Sequence, residues 1–533
     1  MRSERLFPST AFSEHATPLS LLDATTADFA ATSVVWLFER PTELELPFYL
    51  FEHFRQSVRI ALDAYPQFSG QLKSIETLDP TKLRKEEQEF PPHARRFGRV
   101  YSHCGTSEDP GVEFITATID ATLESLSPAS RTINQPLFDR KRVSLNALVP
   151  STRLANCLQL STSYEAGRLL PVMAIQVTVL GCGGFALAVK VSHPLADIHA
   201  LIAFVKDWAR ISRWMLSGQD GPRPLLDPIF DPSQLDGMAI GDINASRPDP
   251  QVLTQSATFP LHRYDWWAAP AQCPWVHEIP EPFRDQNLAP VGKEMPWSDW
   301  DFDAPMSHYL VHLNRQQVDW IWNNTIKGLD QSQTDNRISR HDAVLAHLWS
   351  CITRARNQQD DAGLVHCNLA FGTRSALGLQ DSFIGSPVMM LNIEMTGTEL
   401  ASSRIPRQVQ QLSIAQRIRQ TISQMNNSTA LGSHIHSQRH LIVTSWARAG
   451  LYEIDFGSSV SPCIRYAEGV IPNLDGDVVI KDAPPSQGCE GSGDNKGNIG
   501  TAWTDHGVDI TLHLRSEDME RLIRDPRLLP QAI

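Results

Sequence analysis

Ile198, Leu201, Ile202, Val205, Trp208, Ile211 and Trp214 recur three and four residues apart in DIHALIAFVKDWARISRWM, which predicts an amphipathic helix with Asp197 as its N-cap. Just upstream, Leu169 to Val189 carries no charged residue over 21 positions, long enough to span a bilayer. Pro171, Gln176, Thr178 and the run Gly181-Cys182-Gly183-Gly184 interrupt it. Glycines bunched between two β-branched, apolar runs predict instead a turn joining two buried strands. Helical spacing also marks Glu52 to Leu62 and HDAVLAHLWSCITRAR, while SHYLVHL, HCNLAFGTR, PVMMLNIEM and GVDITLHL read as strands. SEDMERLIRD predicts a capped final helix with Glu517 and Asp518 in its first turn. The first fifteen residues read as a loose arm, and Pro128 to Ser163 shows no clear period.

From Ser217 to Trp300 prolines and tryptophans are frequent and neither period persists, which predicts a long crossover. The pattern therefore gives an α/β protein in two halves, residues 1–216 and 301–533, joined by residues 217–300. A length of 533 residues fits two large domains.

Composition narrows the function classes. Charged residues make up 20% and the net charge is -13 without long acidic runs, which argues against a nucleic-acid partner, since phosphate backbones need clustered Lys and Arg. The eight cysteines lie far apart with no CxxC pair, so neither structural zinc nor a disulfide framework is expected, and a cytoplasmic setting fits. MRSERLFPST lacks the apolar core of a signal peptide. No membrane partner is expected.

One constellation carries chemistry. His193 and Asp197 form HxxxD in VSHPLADIHA; with 18 histidines, about one such match is expected by chance. The context raises it: the histidine ends a glycine-turned hairpin and precedes a proline and a helix cap. His434, His436 and His440, or His308 with His312 on one strand face, could bind zinc, but no HExxH or carboxylate partner accompanies them, so no metal is expected. No GxSxG elbow marks a serine hydrolase.

The segment PVMAIQVTVLGCGGFALAVKVSHPLAD resembles the part of BAHD acyltransferases in which Gln-Val-Thr, a Cys-Gly-Gly turn and HxxxD follow in order. PLSLLD (Pro18 to Asp23), ALDAYPQFSGQL, HDAVLAHLWSCITRAR, FGTRSAL, VTSWARAGLYEIDFGSSVSP and DITLHLRSEDMERL resemble the family's other motifs in the family's order. The resemblance runs from Pro18 to about Leu528 and is similar to divergent fungal secondary-metabolite O-acetyltransferases. Ile198 stands where the family has Gly, Ser458 and Ser459 break DFGWGKP, and FIGSP (Phe383 to Pro387) replaces YFGN. These departures put substrate and donor in doubt more than reaction class.

The resemblance implies two chloramphenicol-acetyltransferase-like domains with mixed sheets, and a channel between them where acyl-CoA and a small-molecule acceptor meet. It implies a monomer with no permanently bound cofactor, acetyl-CoA or another acyl-CoA being co-substrate. The expected reaction is short-chain acylation of a hydroxyl or amine on a specialised metabolite. His193, mostly neutral at pH 7, would be the general base and would later protonate the CoA thiolate. Asp197 would be mainly structural, capping its helix and pairing with Arg374. Trp446, in Thr444-Ser445-Trp446, is either an oxyanion donor through its indole N–H or plain core packing. Asp455, Phe456 and Gly457 would form a turn holding the channel wall, with Gly457 supplying the backbone angle. A condensation-type enzyme using a carrier-protein thioester is the rival, disfavoured because Ser192 precedes His193. A non-catalytic binding protein on the same fold is the other.

Overall fold

A computed structural model describes the chain apart from residues 28, 42–47, 156–163, 166–167, 248, 257, 264–283, 285–292, 295–300, 302, 328–337, 427–439, 458–462, 486–501 and 532–533. The main strands are β1 (Arg2–Leu6), β2 (Thr32–Phe38), β3 (Val112–Ile119), β4 (Leu137–Asp139), β5 (Met173–Leu180), β6 (Phe185–Val191), β7 (Met306–Leu313), β8 (Leu364–Gly372), β9 (Val388–Thr396), β10 (His440–Ser445), β11 (Ile464–Gly469), β12 (Asp477–Asp482) and β13 (Val508–Arg515). They form two mixed sheets, ordered β1-β3-β5-β6-β2-β11 and β9-β8-β10-β12-β13-β7-β4.

The uncharged run upstream of His193 is a hairpin: β5 and β6 pair antiparallel from Met173↔Val191 to Val179↔Phe185, and every side chain of β5 is buried. Gly183 turns it at φ +83, a left-handed angle that costs glycine nothing. No helix among the described residues is long and apolar enough to cross a membrane.

The main helices are α1 (Leu21–Thr25), α2 (Phe48–Ala61), α3 (Ile198–Leu216), α4 (Arg315–Ile326), α5 (Arg340–Ala355), α6 (Arg407–Asn426) and α7 (Ser516–Arg524). α3 starts where its periodicity begins, and Asp197 accepts from the Ala200 N–H at 2.9 Å as a capping side chain must. Its stripe packs Trp208 against Phe54 of α2 at 5.3 Å between ring centroids. Both rings are wholly buried, each worth about 1.5–3 kcal/mol of burial. A second core gathers Trp349 of α5, Ile418 of α6 and Leu391 of β9.

Each sheet takes one strand from the far half of the chain. β4 pairs with β7 in the second sheet, and β11 pairs with β2 in the first. The β4 and β11 exchanges tie the two sheets together.

Three expectations need correction. The amino-terminal arm is not loose through its first residues: β1 is an edge strand paired with β3 from Arg2↔Thr116 to Leu6↔Val112. Its polar side chains hide this, because an edge strand needs only backbone partners. α7 has Arg515 at its N-cap and no side-chain cap; Asp518 instead pairs with Arg515 and Arg521. The crossover keeps short helices at Ser233–Asp236 and Pro250–Ser256, and much of its remainder lies outside the described residues.

Candidate active site

A single 3-10 turn, His193–Leu195, separates β6 from α3. The Pro194 ring fixes that turn, so the His193 side chain leaves the strand end at a set angle. His193 is partly exposed into a cavity of about 160 Å³, whose walls include Phe29, Val388, Met390, Ile442, Thr444, Trp446 and Val470. Phe29 meets the imidazole edge-on, with centroids 5.0 Å apart. Burial pushes the His193 pKa down to about 4, with Asp197 opposing that shift. The ring is therefore neutral over the physiological range and can accept a proton.

Ser386 holds the other side of the ring. Its Oγ lies 2.8 Å from His193 Nδ1, and its backbone N–H donates to Asp23 Oδ1 at 2.6 Å. Asp23 is itself fully buried in a capping box with Ser20 at the start of α1. Burial raises the Asp23 carboxyl to about 6, against the pull of its hydrogen bonds to Ser20 and Ser386.

The hydrogen bonds of the Asp197 carboxylate go to Arg374 and the Ala200 N–H, not to the histidine. Arg374 donates to the carboxylate through Nε at 2.9 Å and Nη2 at 2.7 Å, a bidentate pair. The same guanidinium donates to the carbonyls of Phe383 at 2.7 Å and Gly385 at 3.1 Å. The Asp197 N–H donates to the Gly385 carbonyl at 3.0 Å. Arg374 thus staples the HxxxD turn to the loop that presents Ser386. Burial would raise the Asp197 carboxyl, but the Arg374 charge and hydrogen bonds hold it below the ordinary carboxylate range.

Thr444 and Trp446 lie on and just beyond β10 and line the same cavity as His193. The Trp446 indole N–H donates to Thr444 Oγ1 at 3.2 Å. A side chain on Gly469 would put its Cβ 2.4 Å from the Trp446 ring, so that glycine makes room for the indole.

Asp455, Phe456 and Gly457 sit elsewhere. Gly457 has φ +99 and donates its N–H to Asp455 Oδ1 at 2.8 Å. Phe456 packs on Phe54 and Trp208 at 5.0 Å each, behind the first sheet. The turn expected to hold the channel wall therefore anchors α2 and α3, and none of its three residues lines the cavity.

Of the histidines weighed as metal ligands, His312 hydrogen-bonds Asp509 at 2.8 Å and His308 stacks on His513 at 4.0 Å. His434 and His436 lie outside the described residues, as does the His440 side chain. No group of metal-ligating side chains occurs among the described residues.

Sequence reasoning missed Asp23, Phe29, Ser386 and Gly469. The signals were present for two: Asp23 closes PLSLLD, and Ser386 belongs to the variant FIGSP.

Chemically, a neutral imidazole faces a mostly apolar cavity, a hydroxyl sits on its far nitrogen, and an indole–hydroxyl pair shares the wall. That set can move one proton and meet one developing negative charge.

A family model described as Transferase family matches residues 88–220 and 313–528. The chain is 25% identical over 522 residues to Acyltransferase AFT15-1 of Alternaria alternata, covering 93% of this chain and 90% of that protein. Among solved structures, vinorine synthase superposes with a TM-score of 0.56 at 16% identity, covering 98% of this chain and 95% of that one. TRI101 of F. graminearum, solved with coenzyme A and deoxynivalenol, gives a TM-score of 0.58 at 14% identity, covering 96% and 98%. At those identities the structures speak for the fold alone.

Proposed function

The chain belongs to the Transferase family, as an acyl-CoA-dependent acyltransferase of the BAHD type, and from that premise we propose that His193 is its general base. Nε2 of the neutral imidazole takes the proton of an acceptor hydroxyl, and the freed oxygen attacks the thioester carbonyl. The tetrahedral oxyanion meets the Trp446–Thr444 wall. As it collapses, the C–S bond breaks, and the CoA thiolate takes the proton back from the imidazolium. No acyl-enzyme forms, and no permanent cofactor is needed.

The observation that carries this reading is the cavity itself, which joins His193 to Thr444 and Trp446 across the two sheets. Positioned base catalysis contributes about 10²–10⁴ in rate. The small apolar cavity favours acetyl or another short acyl group. The acceptor we infer is an alcohol on a specialised metabolite, in line with the deoxynivalenol held by TRI101. Residues 1–216 and 301–533 would act as the two domains; the family resemblance implies a monomer, and the scattered cysteines suit the cytoplasm.

The test is release of free CoA from acetyl-CoA across a panel of hydroxylated and amine metabolites, for wild type and His193→Ala. Turnover that falls about 10²–10⁴-fold in the variant supports the reading. A folded His193→Ala protein with wild-type turnover ends it.

A further inference from the structure

The outer helices of the second half enclose another cavity, of about 280 Å³, which shares no lining residue with the catalytic one. Its walls come from α4 (Trp320, Asn324), α5 (His347) and the start of α6 (Arg407, Gln408, Gln411).

Arg407 dominates it. The half-buried guanidinium lies 5.3 Å above the Trp320 ring. Among the described residues no ion pair or hydrogen bond satisfies its N–H donors. Burial acts against its charge first, and the neighbouring Arg354 and Arg527 oppose it too; Cys351 and Asp525 favour it, and Asp525 is itself bound by Arg354 at 2.9 Å. Arg407 therefore has no carboxylate of its own among the described residues.

The backbone adds to this. α6 runs for 20 residues and begins at Arg407, with Pro406 before it and the Gln410 N–H donating to the Pro406 carbonyl at 3.0 Å. Proline has no side-chain oxygen to cap a helix, and the start of α6 supplies Arg407, Gln408 and Gln411 to the cavity lining. Gln411, more than nine-tenths buried, lines the cavity, and its terminal amide has no hydrogen-bond partner among the described residues, so it can turn its NH2 towards an acceptor. Ile321 and the Trp320 ring make an apolar flank.

We propose that this cavity is a second small-molecule site, which takes a small organic monocarboxylate with an apolar body. The carboxylate would sit on the Arg407 fork at the first turn of α6, and the body against Trp320 and Ile321. One guanidinium matches one negative charge, and a planar fork matches a carboxylate. A phosphate dianion brings a second charge that one guanidinium leaves unmatched, and no apolar body to lie against Trp320 and Ile321.

The test is calorimetric titration of the full chain with benzoate, repeated with benzyl alcohol, with inorganic phosphate, and with benzoate after saturation by CoA. Saturable benzoate binding that CoA leaves unchanged is expected, with at least tenfold weaker binding of both other probes. Arg407→Gln should weaken benzoate at least tenfold and leave CoA-release turnover unaltered. Gln408→Glu, at an exposed position of the same turn, should do the same by setting a rival carboxylate beside Arg407; it stands in if Arg407→Gln does not fold. No saturable binding up to about 10 mM, equal binding of benzyl alcohol or phosphate, displacement by CoA, or unchanged affinity in a folded variant would each overturn the proposal.

Discussion

Ser386 Oγ stands 2.8 Å from His193 Nδ1, in line with a buried Asp23 that fixes the Ser386 backbone. A hydroxyl can give or take a hydrogen bond. For His193 to accept a proton at Nε2, Nδ1 must carry the hydrogen and Ser386 must accept it. Ser386 would then be a positioning residue that sets the tautomer, while its neutral oxygen avoids raising the histidine's basicity as a carboxylate would. Ser386→Ala should lower kcat for CoA release about tenfold to a hundredfold with the KM for acyl-CoA nearly unchanged, and Ser386→Thr should restore most of it. An unaltered kcat in Ser386→Ala would mean that another group holds the tautomer.

The Asp197–Arg374 pair acts on stability first. Both groups are largely buried, and Arg374 also holds the Phe383 and Gly385 carbonyls. Removing one partner strands the other, at about 3–5 kcal/mol. Asp197→Asn and Arg374→Gln should each lower the urea midpoint accordingly, and the double variant should lose less than the two losses added. Asp197→Asn that folds with normal stability, yet shifts the pH dependence of turnover, would instead make Asp197 part of the proton path.

Acid should destabilise the protein well before its carboxylates titrate as a group. Burial pushes His53, His193, His308, His347 and His513 down to about 4. An unfolded histidine titrates near 6.5. Between those values the unfolded chain binds protons that the folded chain refuses, so stability falls as pH drops from 6.5 to about 4. Asp23 and Asp482, raised to about 6 by burial, act in the opposite direction. Their contribution favours the folded state in acid and fades as pH rises through 6. Five imidazoles outweigh two carboxyls, so the urea midpoint should be flat from pH 8 to 7 and fall steeply below 6.5. A midpoint that rises on acidification would show that these histidines reach solvent.

The sequence made the strongly patterned elements legible. α3, the β5–β6 hairpin and β13 announce themselves because burial on one or both faces imposes a period on the residues themselves. β1 did not, because RSERL pairs through its backbone at a sheet edge and keeps polar side chains in water. β4 did not either, being three residues whose partner β7 lies far along the chain. Within the site, His193 and Asp197 are close in sequence and share one turn, whereas Ser386 reaches the imidazole across 193 positions. Only the fold brings such pairs together, and in the sequence Ser386 shows merely as a departure in FIGSP. Gly469 carries no signal at all, since its role is the space it leaves for Trp446.

Trp446 is the residue whose two readings a measurement can separate. Its indole N–H donates to Thr444 Oγ1 at 3.2 Å in the resting protein, so either group could present a hydrogen to a developing oxyanion. Trp446→Phe keeps an aromatic wall and removes the N–H. If that donor meets the oxyanion, kcat should drop about 10²–10³-fold while the KM values move little, because the bond strengthens only as charge develops. Thr444→Val should then cost less, since it removes only the indole's resting partner. If instead Trp446→Phe turns over normally and Thr444→Val loses the rate, the hydroxyl is the donor and the indole serves as packing. Gly469→Ala provides the control for position: its Cβ would press on the Trp446 ring from 2.4 Å and displace it. A drop in kcat with a lowered melting temperature is expected there, whichever group donates, because both depend on where that ring rests.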